Sequence, residues 1–201
     1  MRKLHDKFFK QAKREGKLAR SVYKLEELNR RDRIFKKGDA VLDLGASPGS
    51  WLEYILETVG QEGVACAVDI KPIHKKFKGR AFFRMMNVLD MKGDEFVREA
   101  PGGFAAVVSD MAPNTSGIRI VDQARSLELC ERVLALSGML LGKGGNFACK
   151  IFYGGETEDF RKTVGKQFRE AKIRKPEACR NESIEHYVVG LGFLGGEPGR
   201  E

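Results

Sequence analysis

Long apolar runs are missing from this chain of 201 residues. No stretch approaches the roughly 18 consecutive apolar residues that a membrane-spanning helix needs. The sequence is also charged from its second residue, which argues against a secretory signal segment. We therefore expect a cytoplasmic protein.

Cysteine and histidine are scarce, with four and three residues. The cysteines form no Cys-x-x-Cys pair, and few histidines are available to complete a metal-ligand set. This pattern predicts buried free thiols and no metal site; the cysteines are Cys66, Cys130, Cys149 and Cys179.

No compositional break divides the chain, so we expect one domain, but the charge is uneven. Residues 1–38 hold 14 Lys and Arg against 5 Asp and Glu, whereas residues 39–201 hold 22 against 23. We interpret residues 1–38 as a basic helical arm, the N-terminal part of the same domain as residues 39–201. Such an arm predicts a polyanionic partner such as RNA, and the alternative is a solubilising helical face.

After the arm, apolar runs alternate with helical patterns. Helices are predicted at residues 5–14, 20–32, 50–59, 93–99, 121–141 and 157–169, and strands at 40–44, 64–69, 81–86, 104–109, 146–151, 171–175 and 186–193. This alternation predicts an α/β, Rossmann-like fold with a mostly parallel seven-stranded sheet and helices on both faces. The last two strands are too close in sequence for a helical crossover, so the last strand should be antiparallel.

Residues 41–51 read Val-Leu-Asp-Leu-Gly-Ala-Ser-Pro-Gly-Ser-Trp, a buried strand followed by a turn and a helix start. Gly45 and Gly49 allow the backbone to pass close to a ligand, and the helix start offers unpaired N–H groups. The stretch therefore predicts a cradle for a nucleotide cofactor.

Other residues of the turn indicate which cofactor it is. A dinucleotide fingerprint has glycine where this chain has Ser47, followed by the rigid Pro48. Asp43 would repel a diphosphate but suits a ligand with an amino group and a sulfonium, such as S-adenosylmethionine (SAM). Asp69 ends the next strand, where an acid binds ribose hydroxyls.

Charged residues also stand at the ends of later predicted strands. Lys150 ends an otherwise apolar run, and burying its ammonium is costly unless a carboxylate pairs with it or the amine loses its proton. Asp110 is the expected partner, and Glu185 precedes the last strand. The alternative is a structural ion pair.

Five motifs in this order resemble the FtsJ/RrmJ family of SAM-dependent ribosomal-RNA ribose 2′-O-methyltransferases. They are Arg20-Ser-Val-Tyr-Lys-Leu, the turn from Asp43 to Trp51, Ser109-Asp-Met-Ala-Pro-Asn-Thr-Ser-Gly, the strand with Lys150, and Ser183-Ile-Glu-His-Tyr. The resemblance covers nearly the whole chain.

The resemblance implies a catalytic tetrad and a set of SAM contacts. The tetrad falls on Lys24, Asp110, Lys150 and Glu185. The SAM contacts fall on Gly49, Trp51, Asp69, Asn87 and Asp110, with Trp51 as a wall of the pocket. Gly45, the first glycine of the turn, completes the predicted cofactor-binding set. The implied product is S-adenosyl-L-homocysteine, and the implied substrate is a uridine of large-subunit (23S-type) ribosomal RNA. From its charge we expect the arm to contact this RNA, and we expect the protein to be a monomer.

The chain departs from the family pattern at Asn87, where an acid is usual, and at Thr115, where methionine is frequent. Glu182 competes with Glu185 for the last tetrad place, and the His-Tyr-Val-Val that follows favours Glu185. A transfer-RNA or cap-type 2′-O-methyltransferase is an alternative. So is an RNA-binding module with a vestigial cofactor pocket, and a dehydrogenase is a weaker third.

Overall fold

The computed structural model describes residues 3–179 and 182–195. The first two residues of the predicted arm, and residues 180–181 and 196–201 of the predicted domain, lie outside this part. The described strands are β1 (Ala40–Leu44), β2 (Val64–Asp69), β3 (Ala81–Met85), β4 (Phe104–Ser109), β5 (Leu141–Phe152), β6 (Phe168–Arg174) and β7 (Glu185–Phe193).

These strands form one sheet in the order β3-β2-β1-β4-β5-β7-β6. The pairs from β3 to β5 are parallel, whereas β7 is antiparallel to both β5 and β6. The mostly parallel seven-stranded sheet with an antiparallel last strand is therefore confirmed.

Helices cover both faces of the sheet, as predicted. The helices are α1 (Lys3–Arg14), α2 (Val22–Asp32), α3 (Ser50–Val59), α4 (Arg119–Leu140) and α5 (Thr157–Gly165). Apolar side chains of α2 and α3 pack on one face of the central strands, and those of α4 and α5 pack on the other. The carboxyl ends of β1, β2, β4 and β5 consequently meet at one edge, where parallel α/β sheets bind ligands.

The prediction of a helix at residues 93–99 is wrong. A 3₁₀ helix forms earlier, at Val88–Asp90, and residues 94–100 form separate turns. The Glu95 carboxylate accepts the backbone N–H groups of Lys92 and Gly93, which holds the start of the segment in a turn. Phe96 is buried, so anchoring in the core replaces regular helix formation here.

Several other boundaries differ from the prediction, two of them by four residues or more. The helix predicted at 157–169 ends at Gly165, because Phe168 enters the core as the first residue of β6. Strand β5 starts at Leu141 rather than 146, with a register irregularity against β4. These shifts leave the carboxyl ends of the strands unchanged.

The arm packs on the domain through its apolar residues. Ala12 and Tyr23 of the arm share a buried cluster with Ala178 of the domain, against which Phe8 and Tyr54 pack. Within the arm, the Tyr23 hydroxyl donates to Glu15 at 2.7 Å. The prediction of buried free thiols is confirmed for all four cysteines. Within the described residues, none of the helices is long and apolar enough to cross a membrane.

Candidate active site

Four charged side chains from four elements meet at the carboxyl edge of the sheet. Lys150 lies on β5, Asp110 directly follows β4, Lys24 lies on α2, and Glu185 begins β7. The Lys150 Nζ lies 3.2 Å from Asp110 Oδ1 and donates to the backbone carbonyl of Asp110. The Lys24 Nζ lies 2.9 Å from Glu185 Oε2 and 3.7 Å from Asp110 Oδ1. The structure thus brings together all four residues of the predicted tetrad.

The electrostatics of the cluster keep Asp110 and Lys24 charged. Burial alone would raise the pKa of Asp110, but Lys150, Lys24 and the Tyr187 hydroxyl outweigh it, and the pKa falls below its ordinary value. Burial alone would lower the pKa of Lys24, but Asp110 and Glu185 outweigh it, and this pKa rises. Lys150 is only 7% exposed at its side chain, so its amine is largely shielded from water.

Tyr187 is a member of the cluster that the sequence analysis did not select. Its hydroxyl donates to Asp110 Oδ1, and its ring lies 5.9 Å from the Lys24 Nζ. Burial and the negative charge of Asp110 raise the pKa of Tyr187 well above its ordinary value, so the phenol remains a donor. A sequence signal existed, because Tyr187 stands two residues after Glu185 and therefore shares its face of the strand.

The contacts of β7 favour Glu185 over Glu182 for the last place in the tetrad. Glu185 is paired opposite Phe152 in the sheet and reaches Lys24, whereas Glu182 is exposed before the strand. Thr115 is also exposed, in the loop that joins β4 to α4. Asp122 holds that loop by accepting hydrogen bonds from Ser116 and Gly117.

The glycine turn (residues 45–49) lies beside the charged cluster. Gly45 and Gly49 both have positive φ, 84° and 103°. A Cβ on Gly45 would stand 2.3 Å from the Met111 side chain, and one on Gly49 would stand 2.6 Å from the Phe77 ring. Glycine is therefore required by the backbone angle and by close protein side chains, in addition to any ligand. Met111 adjoins Asp110, which places the turn next to the tetrad.

Asp43 is the most unusual charged group at this edge. It is fully buried on β1, and neither carboxylate oxygen has a hydrogen-bond partner among the described residues. Burial, followed by the charges of Asp110 and Asp69, raises its pKa well above the ordinary value. An orphaned buried carboxylate is costly, so this edge of the sheet fits a ligand that brings positive charge.

The predicted contacts for ribose and adenine lie at the next two strand ends. Asp69 accepts the backbone N–H groups of Ser47 and Lys71, each at 2.8 Å, and each oxygen keeps a further lone pair for a hydroxyl. Asn87 is exposed, and its Oδ1 accepts the Leu89 N–H at 3.1 Å. Ile70 and Leu89, next to these two residues, are 66% and 54% exposed. Neither Ile70 nor Leu89 was selected from the sequence, although exposed apolar side chains beside polar groups are typical of ligand pockets.

The ring of Trp51 faces the protein interior. It is buried, its Nε1 donates to the Ser21 carbonyl at 2.8 Å, and it lies 6.0 Å from the Tyr187 ring. The SAM contact predicted for Trp51 would therefore come from its backbone N–H, which stands in the first turn of α3 without an intrahelical acceptor.

Comparisons with known proteins relate this chain to a family of methyltransferases. The family model described as FtsJ-like methyltransferase matches residues 18–193. Ribosomal RNA large subunit methyltransferase E of Desulforapulum autotrophicum is 43% identical over 188 residues, covering 93% of this chain and 92% of that protein. The protein of the same name from Desulfatibacillum aliphaticivorans is 44% identical over 191 residues, with coverages of 95% and 92%.

A solved structure described as a ribosomal RNA methyltransferase from Plasmodium falciparum shares the fold. Its TM-score is 0.76 at 24% identity, covering 89% of this chain and 99% of that chain. Because the family model spans most of the sequence and both bacterial relatives align along nearly their whole lengths, this chain belongs to the FtsJ-like methyltransferase family.

Proposed function

We propose that the protein transfers a methyl group from SAM to a ribose 2′-hydroxyl, at a uridine of large-subunit (23S-type) ribosomal RNA. The observation that carries this proposal is the ion pair of the buried Lys150 with Asp110, beside the glycine turn. Membership of the methyltransferase family and the names of the bacterial relatives support the reaction class and the RNA substrate.

The chemistry of the strand ends fits SAM as the methyl donor. Asp43, Asp69 and Asp110 belong to three adjacent strands, so three carboxylates lie where a sulfonium and an amino group would be attracted. We assign the ribose to Asp69, the adenine to Asn87 between Ile70 and Leu89, and the methionine part to Gly45, Gly49, Asp110 and the Trp51 N–H. When bound, SAM supplies an electrophilic methyl group.

In this proposal Lys150 orients the 2′-hydroxyl and accepts its proton at Nζ as the oxygen–methyl bond forms. The position of Lys150 is set by the Asp110 carboxylate, which also contacts Lys24 and the Tyr187 hydroxyl. The carbonyl of Asp110 fixes the direction of the Lys150 amine.

Lys24 and Glu185 have a positioning role in this mechanism. Their ion pair of 2.9 Å holds the Lys24 ammonium beside Asp110. Because the pKa of Lys24 is raised by its acidic neighbours, its charge persists at neutral pH. It is therefore a fixed cation that also suits a phosphate of the RNA.

We further propose that the arm contributes phosphate contacts. Lys7, Lys13 and Arg14 are exposed on α1, whose apolar residues Phe8 and Ala12 face Tyr23. Phosphate contacts supply most non-specific affinity for nucleic acid, so the arm would add affinity while the tetrad performs the transfer. We expect the protein to act as a monomer.

The test is to incubate the protein with SAM carrying a radiolabelled methyl group and with separated 23S-type ribosomal RNA, transfer RNA and capped RNA. The proposal predicts label on a ribose 2′-oxygen of ribosomal RNA, mapped by nuclease digestion. Label on transfer RNA or the cap would move the substrate to the alternative class. RNA binding without transfer would leave a binding module, and label on a base would overturn the ribose assignment.

A further inference from the structure

A second basic cluster lies far from the arm in sequence. Residues 71–80, which we call the basic segment, hold five Lys and Arg residues and no Asp or Glu. Acidic residues elsewhere in residues 39–201 balance these cations, so the net charge of that range is near zero and does not reveal the cluster. All five cations are exposed: Lys71, Lys75, Lys76, Lys78 and Arg80.

The basic segment is anchored on the glycine turn. Phe77 and Ile73 lie against Gly49, close enough that a Cβ there would stand 2.6 Å from the first and 3.2 Å from the second. The Ser47 hydroxyl donates to the Pro72 carbonyl at 3.4 Å. These apolar and backbone contacts turn the cations towards solvent next to the cofactor turn.

The basic segment and the arm flank the same helix. On α3, Glu53 pairs with Lys75 at 2.5 Å, and Glu57, one helical turn later, pairs with Lys17 of the arm at 2.8 Å. Because both acids are paired, the surface of α3 between the two basic stretches is electrically neutralised. A groove of 440 Å³ runs between α3 and the basic segment.

We propose that the basic segment binds the phosphate backbone of the substrate RNA, and that it extends the arm's surface across α3. This inference rests on the proposed function, since it concerns the same RNA. Lys75 is engaged with Glu53, whereas Lys71, Lys76, Lys78 and Arg80 have no ion pair with any described residue. Cations spread along an exposed loop match a polyanion with repeated charges better than a single small anion.

The basic segment and the arm both lie close to the glycine turn. The segment contacts Ser47 and Gly49, and the arm contacts the start of α3 through a distance of 2.9 Å between the Ser21 and Ser50 hydroxyls. Both basic stretches thus converge on the turn that leads to the tetrad. An RNA strand held by both would have its target ribose beside Lys150.

The experiment compares two triple variants with equal loss of charge. The test variant is Lys76→Gln, Lys78→Gln and Arg80→Gln. The control is Lys143→Gln, Lys166→Gln and Arg169→Gln, at exposed positions on β5 and around β6. The readouts are the Kd for 23S-type RNA over a salt series and the Kd for S-adenosylhomocysteine.

In the test variant the slope of log K against log salt should become shallower by about 2, because each of the three lost single-strand phosphate contacts contributes roughly 0.7. The control should keep the wild-type slope, and both should keep the wild-type affinity for S-adenosylhomocysteine. Equal slopes for both variants would overturn the inference while leaving the methylation proposal intact. A wild-type protein that binds and methylates no RNA would overturn both.

Discussion

At the scale of single residues, two buried aspartates have opposite surroundings. Asp32 accepts two hydrogen bonds from Arg174, at 2.9 and 2.7 Å, and these outweigh burial and lower its pKa. Asp43 has no partner among the described residues, and its pKa is raised. Asp32 thus stabilises the fold, whereas Asp43 costs stability that a cationic ligand would recover.

Asp43→Asn should raise the free energy of unfolding at neutral pH by about 1 kcal/mol, or ~2–4 °C in Tm. Because the folded-state pKa of Asp43 is raised, its destabilisation is absent below the ordinary pKa of about 4 and grows as pH rises above it. The variant should flatten that pH dependence in thermal melts. It should also lower the affinity for SAM more than for S-adenosylhomocysteine, which lacks the sulfonium charge.

Asp32→Asn is the matched control, and it should lower the free energy of unfolding by about 1.5–3 kcal/mol. The depressed pKa of Asp32 means that its stabilisation is present above the ordinary pKa and is lost as pH falls through the folded-state value. If both variants shift Tm in the same direction, Asp43 is not the unpaired group described above.

Single residues of the site were predictable to different degrees. Lys150 was predictable because an ammonium in an apolar run needs a partner, and Asp110 because it ends the neighbouring strand. Tyr187 was not selected, since tyrosine in a strand is ordinary and its hydroxyl partner is 77 residues away. Its role depends on the register that places it opposite Lys150.

At the scale of elements, the parallel strands followed from apolar runs of four to eight residues. The bounds of β1, β2 and β4 agree with the prediction, since buried strands are nearly continuous in apolar residues. The prediction of a helix at residues 93–99 was wrong, because the helical pattern is weak there. The Glu95 turn and the burial of Phe96 determine the structure of the segment instead. The burial of Phe96 depends on tertiary contacts, which a local pattern cannot reveal.

Deletion of residues 1–18 should weaken RNA binding and reduce its salt dependence while leaving S-adenosylhomocysteine affinity unchanged. The deletion removes seven Lys and Arg residues, and also the contacts of Phe8, Ala12 and Glu15 with Tyr23. Its thermal melt must therefore be recorded as the control for folding. An unchanged salt slope would identify the arm as a solubilising helical face.

At the scale of the whole molecule, the site was predictable because the topology of the parallel sheet was predictable from the sequence. Parallel strands put their carboxyl ends on one edge, so Asp43, Asp69, Asp110 and Lys150 had to lie near one another. The exposed pair Ile70 and Leu89 could not be selected from sequence, since apolar residues near strands are usually buried. The charge balance of long segments likewise hid the basic segment.

The residues of the glycine turn and Asp69 predict selectivity between cofactors. Calorimetric titration should show binding of S-adenosylhomocysteine that Asp69→Ala weakens, because Asp69 both holds the Ser47 N–H and would bind the ribose. NAD should not bind, because the close approach of its pyrophosphate requires a glycine where this chain has Ser47, followed by the rigid Pro48. Tight NAD binding without a response to S-adenosylhomocysteine would contradict this assignment.

The most direct measurement of the central claim is single-turnover methyl transfer to ribosomal RNA by the wild type and by Lys150→Ala. The variant should transfer the methyl group about 10²- to 10⁴-fold more slowly, with unchanged S-adenosylhomocysteine affinity and an unchanged melting transition. Asp110→Ala should lose both transfer and cofactor affinity, and Lys24→Ala and Glu185→Ala should be intermediate. Transfer by a folded Lys150→Ala protein within a few-fold of the wild-type rate would contradict the account.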